Sequence, residues 1–518
     1  MIRLNAFCRP FLLIFMWAAA PAVFGQKLTY SVPEKYEARQ TNFDIIGKYG
    51  ENVLVYKNFR DKNYISVYDR DMKVIDNVDL DFLPNRLIEA SFVAHPDFSY
   101  LFFQYNQRGI VHLKAVKLDA KGNKLTEPME IDTTVVGTNN DDKIYSILPS
   151  EDKSKLLIFR INTKNERRFQ FKTLLFDKEL NLQHSSRLGL DMAERNDFLT
   201  DFLIDNDGNL VFGKGIRLGN ADNINKFFLV TKPYNQDQFL FRELQFENIS
   251  LDEVKLKIDN FNKRYLFTGF YYPGRKGSIE GVATAIFDRT KLEWVVRTTT
   301  PFDDQLREDN RGNQNFKNAF NDFFIHEVTI RSDGAFLINA ESNYQSNRGG
   351  GMPFNRWDMM NPWMGPMGWG GGWGTPWGWG GSPWGWGSPW WGSQNNNTRF
   401  HADNIIVMAF DKNGKLLLSN QVVKSQFDDN SANAISYFMA NTGNGLQYIY
   451  NDYESRNLVL AYQTLNPEGR VIRNPTMKSL ERDYKFLPRL SKQIDRKTII
   501  IPCLYRNSLC FARMEFPA

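Results

Sequence analysis

Two of the three cysteines, the five histidines, a set of Asp-led turns and a dense run of tryptophans are the residues of this 518-residue chain whose types and spacing invite chemistry. Cys503 and Cys510 lie in IPCLYRNSLCF. If Arg506 and Asn507 make a two-residue hairpin turn, Tyr505 faces Ser508, Leu504 faces Leu509 and Cys503 faces Cys510. Cross-strand Cα partners sit about 4.5–5.5 Å apart, inside the ~4.4–6.8 Å window of a disulfide. In an oxidising compartment this predicts a disulfide; the alternative is two small buried apolar side chains.

The histidines, His95, His112, His184, His326 and His401, are scattered, with none at metal-ligand spacing. Structural roles are the expectation, and no metal or cofactor is implied. DNDGN, Asp205 to Asn209, resembles the start of a calcium loop, but its twelfth position is Ile216, where a bidentate acid is needed. It reads as a β-turn. No G-x-S-x-G elbow or other nucleophile–base arrangement is visible. A non-enzymatic reading leads, and a glycan- or peptide-processing enzyme is the alternative.

The tryptophans are more telling. Ten of the chain's 12 fall between Trp357 and Trp391: Trp357, Trp363, Trp369, Trp373, Trp377, Trp379, Trp384, Trp386, Trp390 and Trp391. TPWGWG, SPWGWG and SPWWG follow one another, and no charged residue lies between Asp358 and Arg399. Gly and Pro at this density support neither a helix nor a central strand. Each Trp offers a large apolar area and one N–H donor, a combination suited to an interface. Four uses compete: a membrane interface, where Trp gathers at headgroup level; a protein partner, with Trp as anchors; a glycan surface; and a low-complexity tether. Nucleic acid is disfavoured, because single-strand binders interleave aromatics with Lys and Arg. Met359, Met360, Met364 and Met367 read as adaptable packing, not as soft metal ligands.

These residues need elements to position them. MIRLNAFCRPFLLIFMWAAAPAVFGQ carries Arg3 and Arg9, an apolar run from Phe11 to Ala20 and small residues before Gln26, the anatomy of a signal peptide over 1–25. The chain is therefore expected to be exported, to the periplasm or outer membrane of a Gram-negative envelope. Its 64 basic residues against 59 acidic ones give too small an excess to argue for a polyanionic partner.

Downstream, a repeat governs the chain. VYDRDMKVIDNV, KLDAKGNKLTEP, LFDKELNLQHSS, IFDRTKLEWVVR and AFDKNGKLLLSN each run as strand, Asp-led turn, strand, with Asp69, Asp119, Asp177, Asp288 and Asp411 at the turns. Upstream of each comes a turn and an apolar strand, in eight copies about 50 residues apart except across the interval that contains the Trp-rich stretch: KYGENVLVY, HPDFSYLFF, EDKSKLLIF, DNDGNLVFG, NFNKRYLFT, RSDGAFLIN, NTGNGLQYI and QIDRKTIII. Four antiparallel strands per unit, A to D, predict an all-β β-propeller over 26–518, with eight blades and seven as the alternative. The eighth unit, from Tyr484 to Phe516, lacks a D strand, and KLTYSVP at Lys27–Pro33 is expected to supply it and close the ring.

HPDFSYLFF and RSDGAFLIN resemble the TolB-type and WD40-like repeats of secreted bacterial propellers. AFDKNGKLLLSN is similar to the PQQ-like blade motif of eight-bladed quinoproteins and outer-membrane assembly factors. The resemblance spans nearly all of 26–518 and implies fold alone. A quinoprotein would carry tryptophans at several blade-motif ends and vicinal cysteines, but only Trp294 stands at such a place.

In a propeller, B–C and D–A connections leave one face and the A–B and C–D turns the other. TKNERR, RLGNADNINK, YPGRKGSIEG and the connector from Pro301 all fall on the first face. So does the Trp-rich insertion, 343–400, between strands B and C of the sixth blade. The sequence thus predicts an exported binding or scaffolding propeller that uses this face to contact a membrane interface or an envelope protein, or else a glycan. Converging carboxylates at the channel mouth would argue for glycoside chemistry; turns and neutral residues there would argue for scaffolding.

Overall fold

The computed structural model describes residues 26–35, 41–136, 143–192, 197–217, 224–274, 277–312, 315–347, 398–429, 434–454, 457–477 and 484–517. Residues 1–25, where the signal peptide is expected, and the ten Trp357–Trp391 tryptophans lie outside the described residues.

Eight antiparallel sheets follow one another along the chain, and the chain is an eight-bladed β-propeller. The first blade shows the plan: Thr41–Tyr49, Asn52–Phe59, Lys62–Tyr68 and Val74–Asp79 pair in chain order as strands A to D. A strands of neighbouring blades lie beside one another around the axis. D strands form the rim, and their side chains alternate in exposure, as in Glu293–Pro301 of the fifth blade. B and C strands are buried on both faces and read as near-continuous apolar runs, such as Val53 to Tyr56.

The chain's 41 phenylalanines have a geometric cause. Twisted sheets packed radially diverge toward the rim, and large side chains fill the widening gap. Phe159, Phe171, Phe202 and Phe212 form one such stack between the third and fourth blades, with Phe159 and Phe202 centroids 5.0 Å apart. Each fully buried ring is worth about 1.5–3 kcal/mol.

The Asp-led turns join C to D as expected. Asp119 Oδ1 accepts from the N–H groups of Lys121 and Asn123 at 2.8 Å each, and Asp411 Oδ1 does the same for Asn413 and Lys415 at 2.8 and 2.9 Å. Gly122 and Gly414 complete these turns at φ +89° and +78°, a region favourable to glycine. The A–B turns on the same side latch blades together: Asn206 N of the fourth blade donates to Asn260 Oδ1 of the fifth at 3.1 Å, and Asn260 Nδ2 reaches across to Glu151 Oε2 of the third at 2.7 Å.

The eighth blade departs from the plan in its A strand, which is split into Tyr484–Phe486 and Lys492–Asp495 by a 3₁₀ turn at Pro488–Leu490. Lys27–Tyr30 pairs antiparallel with Ser508–Glu515 as the outer strand of this blade. Phe43, Ile45 and Val53 of the first blade share a core with Ile500, Leu509 and Phe511 of the eighth. Glu34 follows that outer strand and reaches Lys57, whose ammonium is fully buried in the first blade and also donates to Tyr68 Oη at 2.6 Å.

The B–C hairpin of the eighth blade turns at Arg506 and Asn507, at φ +48° and +69°, the signature of a type I′ turn. It sets Cys503 opposite Cys510. At the bond itself the structure differs from the expectation: both thiols are free, buried, and 2.9 Å apart, against about 2.05 Å for a disulfide.

Candidate functional site

The sixth blade carries the main departure from the repeat. Its B and C strands, Phe336–Asn347 and Thr398–Phe410, are 12 and 13 residues long, and their pairing runs on to Asn347↔Thr398. Both ends of the expected 343–400 insertion are therefore strand, forming a stem on which the Trp-rich segment is mounted. Gln426–Asp428 adds to the C strand beside Phe400–Ala402 and widens the stem.

Side chains brace this stem. Tyr344 and His401 stack across the pair with centroids 4.3 Å apart and planes 7° from parallel. Tyr344 donates to Asp403 Oδ2 at 3.1 Å, and Ser425 donates to Asp403 Oδ1 at 2.8 Å. Burial and then Asp403 hold the Tyr344 phenol well above its ordinary range. Burial lowers the His401 imidazole, with Asp403 opposing and Arg399 assisting. At the far end Arg399 grips Asp429 with two bonds, 2.6 and 3.2 Å, and lies 4.3 Å from the ring of exposed Phe427.

Below the stem lies a buried ionic node that sequence reasoning did not find. Lys424 Nζ sits 2.6 Å from Glu341 Oε1 and donates to Ala402 O and Gln426 Oε1 at 2.8 Å each. Glu341 Oε2 accepts from Ser436 Oγ at 2.6 Å and from Asn343 Nδ2 at 3.1 Å, with His326 Nδ1 3.2 Å away. Burial drives the Glu341 carboxyl up, but Lys424 and His326 outweigh it, and the net direction is down. Burial depresses His326 to about 4, so it is neutral near pH 7. The only sequence signal was a Glu inside the strand Phe336–Asn347; Lys424 lies in the connection after the D strand.

The 301–322 connector is built, not irregular. Asp303 caps the helix Asp304–Asn310 by accepting from Leu306 N at 2.7 Å. Phe302, Leu306 and Phe320 anchor it in a core shared by the fifth and sixth blades. Arg307 is buried there and donates to Glu280 O at 2.8 Å. Asn343 N donates to Asp322 O at 2.8 Å, so the connector does stand against the stem, as the sequence suggested.

Among the described residues, acids on the A strands are accompanied by lysines. Asp44, Asp201, Glu253 and Glu327 lie on A strands, and each faces a lysine: Lys492, Lys255, Lys255 at 3.2 Å, and Lys257. Burial lifts Glu327 to about 7, against the pull of Lys257. Such opposite charges offset part of the cost of burying ionised groups.

The remaining candidates are satisfied locally. His95 stacks on Phe98, His112 meets Glu130 at 2.8 Å and His184 meets Asp237 at 2.9 Å. Asp205 spends its carboxylate on the turn, on Tyr265 at 2.9 Å and on Arg289 at 2.8 Å. Among the described residues no group of three His, Cys, Asp or Glu could hold a metal.

No known protein-family pattern matches the chain, and no curated protein does. Solved structures do. The WD40 domain of SCAP from fission yeast is similar at a TM-score of 0.43 and 8% identity, over 95% of this chain and 98% of that one. An ulvan lyase of polysaccharide lyase family PL25 gives 0.38 and 8%, over 81% and 90%. Prolyl oligopeptidase B from Galerina marginata gives 0.41 and 9%, over 91% of this chain and 56% of that one.

Proposed function

We propose that the protein is an exported, non-enzymatic scaffold that contacts a membrane interface through the Trp-rich segment. The observation that carries this reading is the stem: strand pairing continues from the core of the sixth blade to Asn347↔Thr398 and ends beside the Arg399–Asp429 bonds. A rigid stem fixes where the segment leaves the ring, and so limits the ordering cost of using it as an anchor. The segment beyond it is uncharged from Met359 to Thr398, which suits the headgroup level of a bilayer, where indole rings partition.

An envelope protein offering an apolar groove is the second reading, since the same tryptophans would serve as anchors there. Vesicle binding by the mature chain, compared with a chain in which 348–397 is replaced by a short Gly-Ser turn, tests the proposal. Loss of binding on replacement supports it. Equal binding by both chains refutes it.

A further inference from the structure

The two cysteines and the outermost strand of the eighth blade meet on one face of that blade's sheet. Cys503 stands on Thr498–Tyr505 and Cys510 on Ser508–Glu515, opposite each other. Side chains alternate along a strand, so Cys510 and Ala512 point to the same face. Tyr30 pairs with Ala512 from the strand Lys27–Tyr30, and Phe486 pairs with Cys503 from the far side. Two cysteine-bearing strands, each about 4.8 Å wide, thus separate the backbones of Tyr30 and Phe486. Yet the Tyr30 ring lies 4.6 Å from that of Tyr484 and 6.2 Å from that of Phe486. The phenol ring must therefore reach across the cysteines, over a floor that small side chains leave low. Burial first, and then Cys503, Tyr484 and Cys510, hold that phenol above its ordinary range, as expected of a ring laid against the sulfurs. Ala440, Ile449 and Leu460 of the seventh blade pack against the same group.

Both cysteines are fully buried, and burial followed by Cys510 pushes the Cys503 thiol well above its usual value. Exchange with another disulfide needs a thiolate and access to it, so the covered pair is inert. Of the elements that enclose it, Lys27–Tyr30 is the least held: four residues, partly exposed, at the edge of the sheet and paired on one side. Short edge segments open at a lower free energy than the whole fold.

We infer that Cys503 and Cys510 form a reversible redox site gated by the strand Lys27–Tyr30, with Tyr30 as its cover. When the strand lifts, one cysteine thiolate attacks a small disulfide and displaces a thiolate from it. The second cysteine then attacks the mixed disulfide and displaces the other. The pair gives up two protons and two electrons, and the small disulfide leaves as two thiols. When the strand returns, Tyr30 seals the pair in whichever state it holds. The gate lies outside the sixth blade and works with or without the Trp-rich segment.

The test follows the loss of free thiols from the reduced mature chain under native conditions, with glutathione disulfide as the oxidant, for the parent, Tyr30→Ala and Tyr30→Phe. Tyr30→Ala should react about tenfold faster or more, and Tyr30→Phe, which keeps the cover, at the parent's rate. Dithiothreitol should restore both thiols, again faster in Tyr30→Ala. Denaturant titration confirms that each variant is folded. Equal rates for the parent and Tyr30→Ala overturn the gate. The parent alone supplies a second test: its thiols should react faster than the whole chain unfolds, in step with amide exchange in Lys27–Tyr30. Thiol loss no faster than global unfolding, or as fast as in the unfolded chain, overturns the proposal without any variant having to fold.

Discussion

Lys424 and Glu341 form an ion pair of 2.6 Å with both side chains fully shielded from solvent, directly under the stem that carries the Trp-rich segment. The pair ties the B strand of the sixth blade to the chain that leaves its D strand, and Ser436 extends it to the seventh blade. Removing one partner of a buried pair leaves an uncompensated charge, at a cost of about 3–5 kcal/mol. Glu341→Gln should therefore lower the denaturation midpoint substantially, whereas Lys424→Met combined with Glu341→Leu should lower it less. Denaturant titration of the three chains checks this; a single variant as stable as the parent would show the pair to be dispensable.

Glu34 and Lys57 make a parallel case at the junction of the first and last blades. Glu34 follows the strand that pairs with Ser508–Glu515, and its carboxylate meets a lysine whose side chain is fully buried. Glu34→Gln is expected to destabilise by a similar few kcal/mol. It should also raise amide exchange in Lys27–Tyr30 first, before exchange in the middle blades. Uniform exchange across all blades would contradict this.

Glu327 predicts a pH dependence with a definite sign. Its folded value of about 7 lies above an unfolded value near the ordinary ~4.3. Between these two the native state binds more protons than the unfolded state, so this group's contribution to stability falls as pH rises through the window. Glu327→Gln should flatten the parent's stability profile between about pH 4.5 and 7, and should gain on the parent at pH 8. Thermal melts at half-unit pH steps decide it, and parallel profiles would remove the assignment.

Cys503 and Cys510 face each other across a type I′ hairpin, with their sulfurs 2.9 Å apart as free thiols. Only a small approach separates this arrangement from a bond. Protein recovered from an oxidising compartment, unfolded without reductant, should titrate with no free thiol. Two free thiols would leave the pair as buried apolar packing.

Much of this architecture was legible because propeller repeats punctuate themselves. Each Asp-led C–D turn bonds its own backbone, and each A–B turn precedes an apolar strand, so eight units could be counted from the turns alone. The register of the last hairpin followed from two residues able to adopt positive φ. The axis was not legible. Lys257 and Glu327, which influence each other there, belong to different blades and lie 70 positions apart. The helix Asp304–Asn310 was missed because seven residues are too few to show a 3.6-residue period, and its anchors Phe302 and Phe320 lie outside it. The Lys424–Glu341 pair joins residues 83 positions apart, and only the fold brings them together.

The central claim is that the Trp-rich segment is the contact surface. Trp294 is the one tryptophan of residues 26–518 outside that segment, and it is held against Phe287, with its indole N–H bonded to Glu243 O at 3.0 Å. Intrinsic fluorescence therefore reports almost wholly on the segment. Titrating the mature protein with neutral phospholipid vesicles should shift Trp emission to the blue, and the chain lacking 348–397 should show no shift. Unchanged emission from the intact protein at saturating lipid would contradict a membrane-contacting segment.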